Sequence, residues 1–426
     1  MQLTPEPLAD IEPGRRQALF ERDAGIVEIR DQVRDIVDRV RRDGDAAIRE
    51  YSSRFDDVDV DEIDVTDDVE RATEQVEPDV LEAIESAAEN VRRFHEAQIR
   101  TDWRETVDGR ELGRRFRPLQ RVGVYAPGGT AAYPSSALMG VIPAKVAGVE
   151  EVVVATPPAE QMNPATLAAI EVAGADAVYS VGGAQAIAAL AYGTETVDAV
   201  QKVVGPGNSW VTAAKAEVQG DVAIDFLAGP SELLVVADDT AEPSFVAADL
   251  LAQAEHDPNS SVVAVTDDRD TAYAICEAIE ATIDDLERAD VAEAALSQDV
   301  SGVFHARSMN EAVLFAEGYA AEHLAIQTAD DEAVLDGIDS AGSVFLGPYT
   351  PVAAGDYATG TNHVLPTSAK AKVVGGLSVD TFVRASTVQR LDEDALADLR
   401  DTITTLARTE GLGAHAESVE RRFAEK

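Results

Sequence analysis

The stretch Val122-Gly123-Val124-Tyr125-Ala126-Pro127-Gly128-Gly129-Thr130 decides the fold. A short apolar run ends in a proline- and glycine-rich turn. Helical spacing follows from about Pro134 to Ala147, and a second apolar run, Val152-Val153-Val154-Ala155, comes next. Strand, short turn, helix and strand in this order make a βαβ unit, whose strands lie parallel and are covered on both faces. The alternation continues through a helix near 164–173, a strand at 177–181, a helix at 184–192, a strand near 200–204 and a helix at 209–218. It restarts at Glu232-Leu233-Leu234-Val235-Val236. A helix from Pro243, strands at 262–265 and 302–305, helices at 272–283 and 310–319, and strands at 323–326 and 343–346 follow. The expected fold is α/β, with two Rossmann-like doubly wound domains, a small N-terminal arm and a helical C-terminal tail.

Working outward, residues 1–20 read as the arm, and helical spacing at 27–51 and 79–99 flanks an acidic connection at 56–68. Residues 347–376 lose periodicity, and a long loop in a compact protein is usually functional. The tail from Asp392 to Arg422 reads as helix broken at Gly411 and Gly413. The expected division is an arm at 1–20, a discontinuous α/β domain of 21–124 with 233–377, a second α/β domain at 125–232, and a tail at 378–426.

Composition narrows the function classes. The chain has 45% hydrophobic residues but only 5% aromatic ones, so Ala, Val, Leu and Ile must build the core. It carries 79 acidic against 35 basic residues, a net charge of −44, and Lys occurs only six times. Such a surface repels nucleic-acid phosphate and anionic membrane, so neither is expected as a partner. Acid spread along the whole length fits a high-salt interior, where counter-ions screen self-repulsion. No apolar signal segment opens the chain, and the longest uncharged run, 122–144, is broken by Gly128, Gly129, Pro134 and Gly140, so a cytoplasmic protein is expected. The single cysteine, Cys276, excludes an internal disulfide and reads as an inert thiol on a buried helix face.

No G-x-G-x-x-G occurs. Instead, Pro127-Gly128-Gly129-Thr130, Gly182-Gly183-Ala184-Gln185 and Gly205-Pro206-Gly207-Asn208 each close a strand and open a helix whose free N–H groups suit phosphate or ribose oxygens; such glycines also often make turns and nothing more. In Asp249-Leu250-Leu251-Ala252-Gln253-Ala254-Glu255-His256-Asp257-Pro258, helical spacing puts Asp249, Gln253 and His256 on one stripe. Alone, such a stripe is more often a solvated polar face. Elsewhere Glu322-His323 opens a strand, Asp356 lies in the long loop, and His415 follows Glu410 across a glycine turn. Two histidines, an aspartate and an amide oxygen suit zinc, cobalt or manganese. Glu322 and His323 could divide water activation and proton transfer between them. His95 and His305 read as surface or core residues, and His363 as ordering the loop or approaching a substrate.

Ala228-Gly229-Pro230-Ser231-Glu232, Asp249 through His256, Ala321-Glu322-His323-Leu324, Thr359 through Thr367, Tyr125 through Gly129 and Gly205 through Asn208 stand in order along the chain. With them, the sequence resembles the L-histidinol dehydrogenase family over nearly all its length. The resemblance implies four-electron oxidation of L-histidinol to L-histidine through the aldehyde, in histidine biosynthesis, with two NAD+ reduced and one zinc per site. It implies an aldehyde dehydrogenase-like fold and a homodimer with shared active sites. By motif, Gln253, His256, Asp356 and His415 would bind zinc, with His415 and Glu410 coming from the partner subunit. Glu322 and His323 match the catalytic pair. Ser231 and Glu410 match substrate contacts, as do the zinc ligands and the catalytic pair, and Tyr125, Gln185 and Asn208 match NAD contacts. The 125–232 domain would then bind NAD, 21–124 with 233–377 would carry zinc and catalytic residues, the tail would dimerise, and Asp249 would play a supporting part. A slightly shortened segment around 219–222 touches none of these motifs. Two other classes compete. One is a zinc hydrolase on a nucleotide-fold scaffold, with Glu322 activating metal-bound water. The other is a non-catalytic nucleotide-binding dimer.

Overall fold

The computed structural model describes residues 3–23, 25–128 and 133–424. Among them the strands form three sheets. One has five parallel strands in the order Ala177–Ser180, Glu151–Thr156, Arg121–Tyr125, Lys202–Val204, Ala223–Ile224, which is 3-2-1-4-5 by chain position. The second is parallel too and repeats that order, with Gly302–His305, Ser261–Thr266, Glu232–Ala237, His323–Gln327 and Ser343–Leu346; the arm adds Glu6–Pro7 at its edge. This is the doubly wound order, in which the chain reverses direction beside the first strand. Both Rossmann-like halves are present.

Each sheet is apolar on both faces because helices cover both. Tyr125, Val153, Ala155 and Val203 face the helices Arg30–Asp43, Asp45–Tyr51, Gly183–Tyr192 and Ser209–Val218. Val122, Val124, Val152 and Val154 face Pro78–Glu96, Pro134–Val146 and Pro164–Ala173. In the six-stranded sheet, Leu233 and Val235 face Pro243–Ala254 and Arg269–Thr282, while Leu234 and Val236 face Met309–Tyr319. These four strand residues are fully buried, worth roughly 1.5–3 kcal/mol each in water-to-core transfer.

The chain divides into two compact units, one of 1–98 with 119–382 and one of 99–118 with 383–426. The second contains an antiparallel sheet that the sequence did not announce, in the order Val383–Leu391, Arg110–Pro118, Trp103–Val107. The tail is therefore a strand followed by two helices, Glu393–Thr409 and Gly413–Glu420. Gly411, at φ 76°, ends the first helix in the left-handed region that favours glycine. The aperiodic stretch 347–376 also holds order, with helix at Val352–Tyr357 and a 3₁₀ turn at Lys370–Lys372. Among the described residues, no helix is long and apolar enough to cross a membrane.

Candidate active site

The site is built around the amino end of Glu232–Ala237. Glu322 sits in the bend before strand His323–Gln327, so it is free of the strand's alternation and can turn its carboxylate toward the neighbouring chain. Its Oε2 accepts the Glu232 main-chain N–H at 2.8 Å. His323 Nδ1 lies 3.2 Å from the Glu232 carbonyl oxygen, 3.7 Å from Glu322 Oε2, and its Nε2 lies 3.4 Å from Asp356 Oδ1. Both side chains are buried. Since a carbonyl only accepts, Nδ1 carries the hydrogen in that bond and Nε2 is left open. Burial, the largest influence, pushes the Glu322 carboxyl well above its usual range. Burial opposes charge on His323 too, but the carboxylates of Glu322 and Asp356 outweigh it and raise the ring's pKa.

Asp356, on the helix Val352–Tyr357, loses water on burial, yet the imidazoles of His323, His363 and His256 hold its pKa below normal. His363 Nδ1 bonds the Asp356 carbonyl at 3.0 Å, and its Nε2 lies 3.3 Å from Ser136 Oγ on Pro134–Val146. Asn362 Nδ2 donates to the Met139 carbonyl on the same helix at 2.8 Å, while the Ser368 N–H reaches Glu232 Oε1 at 2.7 Å. The long segment thus ties a helix of the five-stranded sheet to the amino edge of the six-stranded one. His363 orders it.

The helix stripe survives in part. Helix Pro243–Ala254 ends two residues before His256, which stands exposed in the following turn ahead of Pro258. Though part of its surface is open, protein packed around the ring, set against the pull of Asp356, lowers its pKa and favours the neutral form. Gln253 is buried with an amide nitrogen that has no partner. Asp249 is engaged elsewhere, accepting from Gln327 Nε2 at 3.2 Å at the far end of strand His323–Gln327. Ser231 is partly exposed, and its carbonyl accepts from the Ser261 N–H at 2.9 Å.

Among the described residues, no group of three or more His, Cys, Asp or Glu side chains converges on a possible metal position. Gln253, His256 and Asp356 contain only two such side chains. Their chemistry still fits a divalent ion: an amide whose oxygen can coordinate, an imidazole favoured neutral, and a carboxylate favoured charged. Glu410 and His415 belong to the second unit, Glu410 capping the end of Glu393–Thr409 and His415 on Gly413–Glu420, both exposed.

The glycine turns gather at the carboxyl ends of the five-stranded sheet. Tyr125 ends its central strand, and the Tyr125 hydroxyl accepts the Gly183 N–H at 3.2 Å. Tyr125 and Gln185 are both buried, and burial pushes the Tyr125 phenol up to about 12. Asn208 caps Ser209–Val218, its Oδ1 accepting from the Trp210 and Val211 N–H groups at 3.0 and 3.2 Å. Gly205, at φ 109°, is clamped by a buried ion pair: its N–H donates to Asp225 Oδ2 at 2.9 Å and its carbonyl accepts from Lys215 Nζ at 2.5 Å. A Cβ there would sit 2.2 Å from the Tyr125 carbonyl oxygen, so only glycine fits. Beside Gly128, a cavity of about 370 Å³ lined by Thr156, Pro157, Asn163 and Thr166 falls in the usual size range for small-molecule sites. Gly129 and Thr130 of the first turn lie outside the described residues.

His95 is a core histidine, fully buried with Nδ1 2.7 Å from the Val91 carbonyl. Cys276 is buried, and loss of water, helped by Glu280 and Glu277, pushes its thiol up to about 12. A thiolate nucleophile is thereby excluded at neutral pH. Cys276→Ser should keep turnover near the parent's while losing roughly 1–3 kcal/mol of stability for the buried hydroxyl; a severe loss of kcat in folded protein would overturn this.

Comparison with known proteins agrees with the geometry. The model of the histidinol dehydrogenase family matches residues 21–423. The chain is 70% identical to the histidinol dehydrogenase of Halobacterium salinarum over 99% of each chain, and 49% identical to that of Methanothermobacter thermautotrophicus over 92% of each. The crystal structure of histidinol dehydrogenase from Elizabethkingia anophelis superposes with a TM-score of 0.93 at 36% identity, covering 99% of this chain and 98% of that one.

Proposed function

Since the chain belongs to the histidinol dehydrogenase family and oxidises histidinol in histidine biosynthesis, we propose how it does so. It carries L-histidinol through the aldehyde to L-histidine in two NAD-dependent oxidations, with one zinc ion per site. The observation that supports this most is the buried Glu322–His323 pair, oriented from Glu232 and set against Asp356.

Gln253, His256 and Asp356 would hold the zinc, with His415 from a second copy of the chain as the fourth ligand. A zinc ion so held supplies fixed positive charge for the amine and imidazole nitrogens of the substrate, setting the reacting carbon in place. Tyr125, Gln185 and Asn208 would position NAD, which accepts hydride at each oxidation. His323 takes the alcohol proton at Nε2 from its neutral form, since Nδ1 is committed to the Glu232 carbonyl, so this step strengthens as pH rises through the ring's raised pKa. Glu322 then removes a proton from the water that hydrates the aldehyde, and His323 acts again at the second oxidation. Ser231 and Glu410 contact the substrate.

A homodimer is supported by the second unit, where Trp103, Val107, Leu112, Leu406 and Leu412 are exposed. The charge of −44, together with relatives from salt-loving archaea, supports a cytoplasm of high salt as the working medium. Family membership sets aside the hydrolase and the non-catalytic dimer.

The test follows NADH absorbance at high salt with L-histidinol, NAD+ and zinc. Two NADH per histidinol are expected. One NADH per histidinol would overturn the four-electron reading, and no NADH under any metal and salt condition would overturn the choice of cofactor.

A further inference from the structure

Glu232 is a buried acid at the start of an apolar strand, and the chemistry described above does not use its carboxylate. Its main chain, however, touches both catalytic side chains. The N–H donates to Glu322 Oε2 at 2.8 Å, and the carbonyl accepts from His323 Nδ1 at 3.2 Å. One residue therefore fixes the orientation of the carboxylate and the tautomer of the imidazole.

What fixes Glu232 comes from far away in the chain. Arg22, just beyond the first helix, forms a two-pronged ion pair with it, Nε to Oε1 at 2.8 Å and Nη2 to Oε2 at 2.9 Å. Both side chains are almost fully buried, at 6% and 2% exposure. Two parallel N–H···O bonds between planar groups fix direction as well as distance, which a single bond would not. The guanidinium is itself held: Nη2 donates to the Tyr319 carbonyl at 2.8 Å, Nη1 to the Leu19 carbonyl, and its carbon lies 3.7 Å from the centre of the Tyr319 ring. The Ser368 N–H closes the other side of Glu232 Oε1 at 2.7 Å. The same carboxylate thus joins the N-terminal segment, the catalytic strand and the loop that carries Asp356.

We propose that Arg22 and Glu232 are positioning residues for the reaction, with the ion pair locking the main-chain groups that aim Glu322 and His323. This rests on the catalytic reading of that pair. The geometry predicts a specific kinetic signature. Loosening the lock misaims the proton-moving groups, and a displacement of about 1 Å costs on the order of a hundredfold in rate. Gln253 and His256 stand on another element and Tyr125, Gln185 and Asn208 on the other sheet, so zinc content and the KM for NAD+ should hold.

The experiment uses full-length enzyme loaded with zinc, at high salt and well below each variant's melting temperature. Arg22→Lys keeps the charge but loses the fork, and should lower kcat about tenfold, with the KM for NAD+ within about twofold and zinc content unchanged. The double variant Arg22→Met with Glu232→Gln leaves no buried charge to destabilise the fold. It should lower kcat about a hundredfold with the same constancy of KM and zinc. Normal kcat in these variants, or a fall that tracks zinc loss or a rising KM for NAD+, overturns the positioning role. A loss in Arg22→Lys about tenfold smaller than in the double variant supports it, since Lys keeps the charge and a single bond but not the fork. Glu322→Gln and His323→Asn run alongside. If those two turn over normally, the catalytic reading itself fails; if they collapse while the Arg22 variants are unaffected, only the positioning role does.

Discussion

Replacing His323 with Asn should lower kcat by about 10²–10⁴-fold, the range lost when a positioned acid–base group is removed. Asn can keep a donor toward the Glu232 carbonyl, so the strand start should stay in place; what disappears is the open ring nitrogen beside Asp356. Glu322→Gln should behave differently. The amide can still accept the Glu232 N–H, but it cannot take a proton from water. Conversion of the alcohol should then outlast conversion of the aldehyde, so that the variant is far worse with histidinal than the first hydride step alone would require. The pH dependence has a definite sign. Glu322 must be ionised to act as a base, and burial raises its pKa, so aldehyde oxidation should fall as pH drops through neutrality, earlier than for an ordinary carboxylate. Measuring single-turnover NADH formation from each substrate across pH checks both. An H323N enzyme within tenfold of the parent would remove His323 as the base.

How much of this could be read in the sequence follows from what each feature is made of. Strands such as Leu233–Val236 and Val262–Val265 are continuous apolar runs between turns, and such runs are legible. The helices Arg30–Asp43 and Pro78–Glu96 were legible as helices, but periodicity cannot say which of two equally apolar sheets they cover. The antiparallel sheet left little trace because Trp103–Val107 is exposed at every position and Arg110–Pro118 is rich in arginine, so no alternation marks a core face. Gln253, Glu322, His323 and Asp356 could be named from side-chain chemistry and motif. Glu232 could not, because it touches Glu322 and His323 through main-chain groups that every residue has, and Arg22 meets it across 210 positions of chain. His256 was placed on a helix that stops at Ala254, since Pro258 already restricts the backbone ahead of it.

The two sheets also use opposite edges, which order along the chain does not reveal. Open α/β sheets bind ligands beyond the carboxyl ends of their strands, where the chain direction reverses. The five-stranded sheet gathers its glycine turns there, with Tyr125, Gly183 and Gly205 at that edge. In the six-stranded sheet Glu322 and His323 stand at the amino ends instead, beside Glu232, while the carboxyl ends are occupied by Gln327 and its bond to Asp249. The segment from Asp356 to Ser368 connects a helix covering the five-stranded sheet to this amino edge.

Mixing His323→Asn and His415→Ala subunits should recover about a quarter of the parent's activity, although each variant alone is inactive. Zinc in a site of this kind takes about four donors, and one chain's first unit offers Gln253, His256 and Asp356. If His415 reaches across a symmetric dimer, a site combines the first unit of one copy with the tail of the other. Random exchange at equal amounts makes about half of the dimers mixed, and each mixed dimer has one site with both lesions and one with neither, giving about one quarter overall. High salt matters here, because two copies each carrying −44 must approach, and screening shortens the range of their repulsion to about 3 Å at molar salt. Zinc content gives a second reading: His415→Ala should lose metal, and the mixture should hold about half of the parent's zinc before and after exchange, so activity must rise with no change in metal. If every chain used its own tail, all sites in the mixture would carry a lesion. An inactive mixture, with exchange proven by a differently tagged pair, would therefore place His415 in its own chain's site.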